Sequence, residues 1–159
     1  MLLCNPHNPA GRVWTPEELR RIGDICLRRD ILVVADEIHC ELVMPGFRYT
    51  PFASLSEEFA RRSVTCASPS KAFNLAGVQV ANIFAADAGL RERIARSLEI
   101  NETGMISPFA IEALTAAYTD GAEWLDALNG YLWENYLFLR EYFAQHLPHC
   151  PCLLYTSPS

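Results

Sequence analysis

Ile31-Leu32-Val33-Val34-Ala35-Asp36-Glu37 is the stretch on which the fold turns. Five apolar residues run without a break and stop at two carboxylates. A strand with one wet face alternates apolar and polar residues, whereas an unbroken apolar run is expected of a parallel strand covered on both faces. Working outward, Thr15-Pro16-Glu17-Glu18 predicts a helix start, with a capping oxygen, a proline at the first helical position and a glutamate that completes a capping box. Leu19, Ile22, Cys26 and Leu27 give this helix its apolar stripe, and it is expected to end near Asp30. Before it, Leu2-Leu3-Cys4 reads as the end of another buried strand that enters a turn-rich loop, residues 5–11. Beyond Glu37 the pattern predicts a loop with Pro45-Gly46 and Pro51, a short helix at 57–61, a strand at 63–67, a polar loop at 68–77 and a strand at 78–85. Helices are predicted at about 88–100, 107–119 and 121–147. Alternation of strand and helix predicts an α/β fold: a mainly parallel central sheet flanked by helices.

The 159 residues are half hydrophobic and one-fifth charged, a globular composition. A net charge of −6 argues against a nucleic-acid or anionic-membrane surface. No apolar stretch approaches the roughly 20 residues of a membrane span, and Met1-Leu2-Leu3-Cys4-Asn5-Pro6 lacks the basic and apolar regions of a signal peptide. A cytoplasmic location with reduced thiols is therefore expected for the six cysteines, at positions 4, 26, 40, 66, 150 and 152. His146, His149, Cys150 and Cys152 cluster, but no matching ligand pair occurs elsewhere, and no metal site is assigned. Leu125, Leu128, Leu132, Tyr136, Leu139, Phe143 and Leu147 recur at helical spacing, widened by Trp124, Tyr131 and Phe138. That face predicts a largely buried core or inter-domain helix. Residues 148–159 show no periodicity and read as an irregular tail, and 153–159 resemble translated adapter sequence.

Of the thirteen lysine and arginine residues, Lys71 alone is lysine. Arginine cannot lose its proton near neutral pH, so Lys71 is the one side chain of the set that can act as a nucleophilic amine. In open α/β sheets ligands bind beyond the carboxyl ends of the strands. Three polar side chains are expected there: Asn8 after the first strand, Asp36 after the second and Lys71 after the third. A carboxylate to face a cationic ring nitrogen, with an amine able to bond an aldehyde, is what pyridoxal phosphate chemistry needs.

Three motifs carry a resemblance. Asn5-Pro6-His7-Asn8-Pro9-Ala10-Gly11, Ala35-Asp36-Glu37-Ile38-His39 and Ser68-Pro69-Ser70-Lys71-Ala72-Phe73-Asn74-Leu75-Ala76-Gly77, in this order, resemble the class I/II aminotransferase superfamily of fold-type I pyridoxal-phosphate enzymes. Within it the chain is most similar to the cystathionine β-lyase-like branch, with Ile100-Asn101-Glu102 and Glu123-Trp124-Leu125 as further details. The resemblance covers about residues 1–150 and implies pyridoxal 5′-phosphate as cofactor. By it, Lys71 matches the lysine that bonds the cofactor and moves the Cα proton. Asp36 matches the carboxylate paired with the pyridine nitrogen, and Asn8 the amide on the phenolic oxygen. His39 stands where many aminotransferases have a tyrosine touching that same oxygen. Ser68 and Ser70 match phosphate-binding hydroxyls, and Asn5 is expected to be a turn residue only. Many aminotransferases carry a phosphate-clamping arginine eight residues after the lysine; this chain has Gln79 there and no arginine between Arg62 and Arg91. The β-lyase-like branch commonly lacks that arginine too.

The resemblance implies that residues 1–120 are part of the large cofactor-binding domain, lacking its N-terminal part, and that 121–147 form an inter-domain helix. The expected function is a carbon–sulfur β-lyase acting on cystathionine- or cysteine-type amino acids, in a parent enzyme that is a homodimer. The incomplete chain is expected to be inactive alone. Two alternatives stay open at this point: an aminotransferase of amino acids, and an aminotransferase-like ligand-sensing domain of a transcription regulator.

Overall fold

The structure, a computed structural model, describes residues 1–149. The expectations for Cys150, Cys152 and the tail from 150 onward fall outside the described residues. The elements in chain order are β1 (Leu2–Cys4), α1 (Pro16–Arg28), β2 (Val33–Asp36), α2 (Glu57–Arg61), β3 (Ser63–Ala67), β4 (Asn82–Phe84), α3 (Ala88–Ile100), α4 (Ala110–Asp120) and α5 (Ala122–His146), with single turns of 3-10 helix at Phe52–Leu55 and Ala76–Val78. One four-stranded sheet has the order β1-β2-β3-β4. β1, β2 and β3 are parallel, with Cys4, Asp36 and Cys66 in register, and β4 is antiparallel to β3. The α/β, mainly parallel architecture is the expected one.

The start of α1 forms as its residues dictate. The Glu18 N–H donates to Thr15 Oγ1 at 3.2 Å, and the Thr15 N–H donates to Glu18 Oε2 at 2.9 Å. Its stripe, Leu19 and Cys26, packs with Leu3, Val33, Ala35, Phe52 and Phe59 into the core. Phe52 and Phe59 stack with ring centroids 5.2 Å apart. Gly23 faces this stack closely: a Cβ there would lie 2.4 Å from the Phe59 ring. We expect Gly23→Ala to cost about 1–3 kcal/mol by overpacking. Gly130→Ala, where a Cβ meets nothing within 4 Å, should instead stabilise α5 by about 0.5–1 kcal/mol. Thermal unfolding of the two variants checks this, with opposite shifts of Tm expected.

Three expectations need correction. β2 is covered on one face and only half covered on the other: Val33 and Ala35 are buried, while Val34 and Asp36 are half-buried. Helix α1 and the Phe52 turn supply the covered side. The last strand is three residues long rather than eight, because Ala76–Val78 turn as 3-10 helix and Gln79 ends them in the left-handed region at φ +56. Helix α5 has the predicted length but buries no residue among those described. Trp124, Tyr131 and Phe138 are 48%, 63% and 67% exposed, so its apolar face is not core of this chain.

Candidate active site

Because β1, β2 and β3 run parallel, their carboxyl ends share one edge of the sheet, and the three motif loops leave from it. Asp36 is the last residue of β2 and half-buried. Its Oδ1 accepts a 3.3 Å bond from the Ile38 N–H, which turns the chain sharply at the strand end. Asn8 lies four residues past β1 on the exposed tip of its loop. That loop is closed by the His7 N–H to Arg12 carbonyl bond at 2.8 Å and the Gly11 N–H to His7 carbonyl bond at 2.8 Å, with Gly11 at φ +61. Arg12 then anchors the loop to α1, donating to both Glu18 carboxylate oxygens at 2.7 Å. The backbone hydrogen bond from Thr15 and the Arg12 guanidinium hold the Glu18 carboxyl below its usual range.

Lys71 lies four residues past β3, exposed, on a tight turn closed by the Phe73 N–H to Pro69 carbonyl bond at 2.9 Å and the Leu75 N–H to Ser70 carbonyl bond at 3.1 Å. Ala72 beneath it is fully buried. Phe73 stacks on Trp124 and meets Tyr118 edge-on, both at 5.8 Å, so the adjoining ends of α4 and α5 buttress the lysine turn. Gly121 between those helices permits the approach, since a Cβ there would come within 2.5 Å of the Phe73 ring. Among the described residues neither Asp36 nor Lys71 forms an ion pair. The edge therefore presents a carboxylate and an amine, each without an ion-pair partner among the described residues.

His39 is half-buried in the turn after Asp36. Burial pushes its imidazole below the ordinary value, the Lys71 ammonium pushes it further, and Asp36 and Glu41 oppose both. His39 thus senses both charged members of the edge. The stability that neutral His39 contributes is present above its free value of 6.5 and is lost as pH falls below that value, because the unfolded chain takes up the proton first. Histidine titration by NMR should show the His39 midpoint rising in Lys71→Ala and falling in Asp36→Asn; the reverse order would contradict this placement.

The two serines lie together but differ in availability. Ser68 is 4% exposed. Its hydroxyl donates to the Val80 carbonyl at 2.6 Å and accepts from the Ser70 N–H at 3.1 Å, with the Ser70 hydroxyl 2.9 Å away. Ser68 is therefore spent on holding the lysine loop against Val80. Ser70, half-buried on the rim, has a hydroxyl that can turn outward. Gln79 is exposed, and the next arginine, Arg91, is turned to the carbonyls of Ala85 and Ala86 at 2.7 and 2.8 Å.

Sequence reasoning missed the buried layer behind this edge. Glu37 is 1% exposed and Asn5 is fully buried, an anchor rather than a simple turn residue. The Tyr49 hydroxyl donates to Glu37 Oε2, the Phe52 N–H donates to Glu37 Oε1 at 2.9 Å, and Asn5 Nδ2 donates to the Thr50 carbonyl at 3.0 Å. The signal was present: of two adjacent carboxylates at a strand end, one must face the side opposite the other. Cys4, Cys26, Cys40 and Cys66 are free thiols. Burial, and then the neighbouring Glu41, push Cys40 up to about 12, so it is inert as a nucleophile.

Comparison with known proteins gives this edge its context. Cystathionine beta-lyase PatB of Bacillus subtilis is 46% identical over 147 residues, 92% of this chain and 38% of that protein. The aspartate aminotransferase of Geobacillus stearothermophilus is 29% identical over 77% of this chain and 31% of its own. The crystal structure of cystalysin from Treponema denticola, which contains a pyridoxal 5′-phosphate cofactor, superposes with a TM-score of 0.91 at 35% identity, over 93% of this chain and 38% of that one. The architecture is that of fold-type I pyridoxal-phosphate enzymes, and the chain corresponds to part of their large domain. It spans about two-fifths of the length of such relatives, 38% for PatB. Residues 1–155 match the family described as aminotransferase class I and II, and the chain belongs to that family.

Proposed function

We propose that this chain carries the central cofactor-binding segment of a pyridoxal 5′-phosphate-dependent carbon–sulfur β-lyase acting on cystathionine- or cysteine-type amino acids. The observation that carries the reading is the convergence of Asn8, Asp36 and Lys71 on one carboxyl edge, with Asp36 and Lys71 free of protein ion pairs among the described residues. That donor set fits the cofactor: a carboxylate for a cationic ring nitrogen, an amide for a phenolic oxygen and an amine for an aldehyde. When bound, pyridoxal phosphate supplies a conjugated, electron-withdrawing ring that stores the electron pair left at a substrate Cα.

The residues then divide the work. Lys71 Nζ would hold the cofactor, and as a free amine would take the Cα proton. Asp36 keeps its ring partner protonated by opposite charge. Asn8 donates from its amide to the phenolic oxygen, and neutral His39 offers that oxygen a second donor. Ser70 would meet the phosphate, while Ser68, bonded to the Val80 carbonyl, would hold the loop that presents it. With Gln79 in place of an arginine, no charge-assisted clamp comes from that position, so phosphate binding is looser. Loss of the Cα proton drives the Cβ–S bond to break, the sulfur leaving as a thiolate with the bonding pair. The three-carbon remainder ends as pyruvate and ammonia after water is added. The exposed aromatic face of α5 suits an inter-domain helix that other parts of the parent protein cover.

The similarity to PatB favours the lyase. The match to an aspartate aminotransferase keeps amino-group transfer as the second reading, because it uses the same residues and differs only in where the proton returns. The test is to supply the full-length protein with L-cystathionine and pyridoxal phosphate. One pyruvate per thiol released, without any oxo-acid acceptor, is expected. Product formation that strictly requires an oxo acid would overturn the lyase reading.

A further inference from the structure

The peptide unit between Asp36 and Glu37 is held from both sides. Its carbonyl accepts from the Asn5 N–H at 2.9 Å, on the β1 side, and its N–H donates to the Cys66 carbonyl at 2.9 Å, on the β3 side. One peptide plane therefore links the strand exits that lead to Asn8, to Asp36 and to Lys71. The Asp36 side chain leaves this plane toward the site and the Glu37 side chain leaves it toward the core.

Core packing alone would be served by an apolar residue there. A fully buried carboxylate is costly unless hydrogen bonds satisfy it. Glu37 has them: the Tyr49 hydroxyl on Oε2 and the Phe52 N–H on Oε1 at 2.9 Å. Segment 49–52 is bonded in turn to Asn5, whose Nδ2 donates to the Thr50 carbonyl at 3.0 Å. The circuit closes: Glu37 to segment 49–52, to Asn5, and back to the Asp36–Glu37 peptide. Burial raises the Glu37 carboxyl above its usual range, against the pull of Phe52, Tyr49 and Asn5. That opposition is what a carboxylate retained for its hydrogen bonds would show.

We infer that Glu37, with Tyr49, is a positioning residue of the site: it fixes the peptide plane from which Asp36 departs and so aims the Asp36 carboxylate at the ring nitrogen. This rests on the reading of the site given above. Supports of this kind matter because small misplacements of a binding group carry large penalties.

The test uses the full-length protein, with pyridoxal phosphate itself as the probe. Tyr49→Phe removes one oxygen and leaves the aromatic packing, so it carries the test even where Glu37→Ala fails to fold. Measured well below the melting temperature, Tyr49→Phe should weaken cofactor affinity about 10- to 100-fold. Glu37→Gln, which keeps an acceptor for Phe52 and a polar partner for Tyr49, should largely restore what Glu37→Ala loses. In an Asp36→Ala background the Tyr49→Phe effect should vanish, because there is no carboxylate left to aim. In the cofactor-free protein, Tyr49→Phe should also lower the His39 titration midpoint, since a displaced Asp36 no longer opposes Lys71, while Glu41 stays in place. Additive losses in the double variant, or an unchanged affinity and His39 midpoint in Tyr49→Phe, would overturn the positioning role and reduce Glu37 to a structural one. A parent protein that binds no pyridoxal phosphate would instead overturn the functional reading itself.

Discussion

Lys71→Ala is expected to leave the full-length protein with no covalently held pyridoxal phosphate and to lower the proposed carbon–sulfur cleavage by at least about 10³-fold, since positioned proton transfer alone is worth ~10²–10⁴. Loss of the attachment amine adds to that figure. The fold should be nearly untouched, because Lys71 is exposed and makes no ion pair among the described residues. Its neighbours carry the turn: Ala72 is fully buried and Phe73 packs on Trp124 and Tyr118. Lys71→Arg should be as inactive as the alanine variant, because a guanidinium keeps its proton near neutral pH. Steady-state turnover and the visible absorbance of the bound cofactor report the loss; circular dichroism and Tm report the intact fold. Activity retained in Lys71→Arg would show that the position needs a positive charge and not a nucleophile.

Asp36→Ala is the second large effect, expected to lower turnover by about 10²-fold or more through loss of charge stabilisation at the ring nitrogen. Asp36→Asn separates this from the local turn. Its side-chain oxygen can still accept from the Ile38 N–H, as Oδ1 does now. The strand end is therefore preserved while the negative charge is gone. Turnover as low in the asparagine variant as in the alanine one, with a parental melting temperature, is the expected pattern. An asparagine variant with parental turnover would mean that Asp36 acts as a turn cap and the ring nitrogen needs no carboxylate.

The fold was legible where a residue's local chemistry settles its conformation. Thr15, Pro16 and Glu18 define the start of α1, and the unbroken run into Asp36 defines a parallel strand. Asn8, Asp36 and Lys71 could be placed on one edge because parallel strands put their carboxyl ends together, which needs no side-chain detail. Long-range pairing was not legible. Glu37 becomes a buried hub only because Tyr49 and Phe52 return to it from 12 and 15 residues away. Ser68 looks like a free loop hydroxyl until Val80, 12 residues on, occupies it. The length of β4 was misjudged because apolar residues continue through Val78 and Val80 while the backbone turns at Ala76–Val78. The face of α5 shows why amphipathic spacing is ambiguous: it reports that a surface is apolar, and not whether this chain or another part of the protein covers it.

Lys71 is proposed to bond the cofactor. Within these 159 residues Lys71 is the one lysine, so a label on this segment points to one side chain. Full-length protein loaded with pyridoxal phosphate is reduced with borohydride, which makes a reversible carbon–nitrogen bond permanent, and is then digested and mapped by mass spectrometry. The phosphopyridoxyl label is expected on the peptide containing Ser70-Lys71-Ala72 and should be lost in Lys71→Ala. A label found on another part of the protein, with that peptide unmodified, would contradict it.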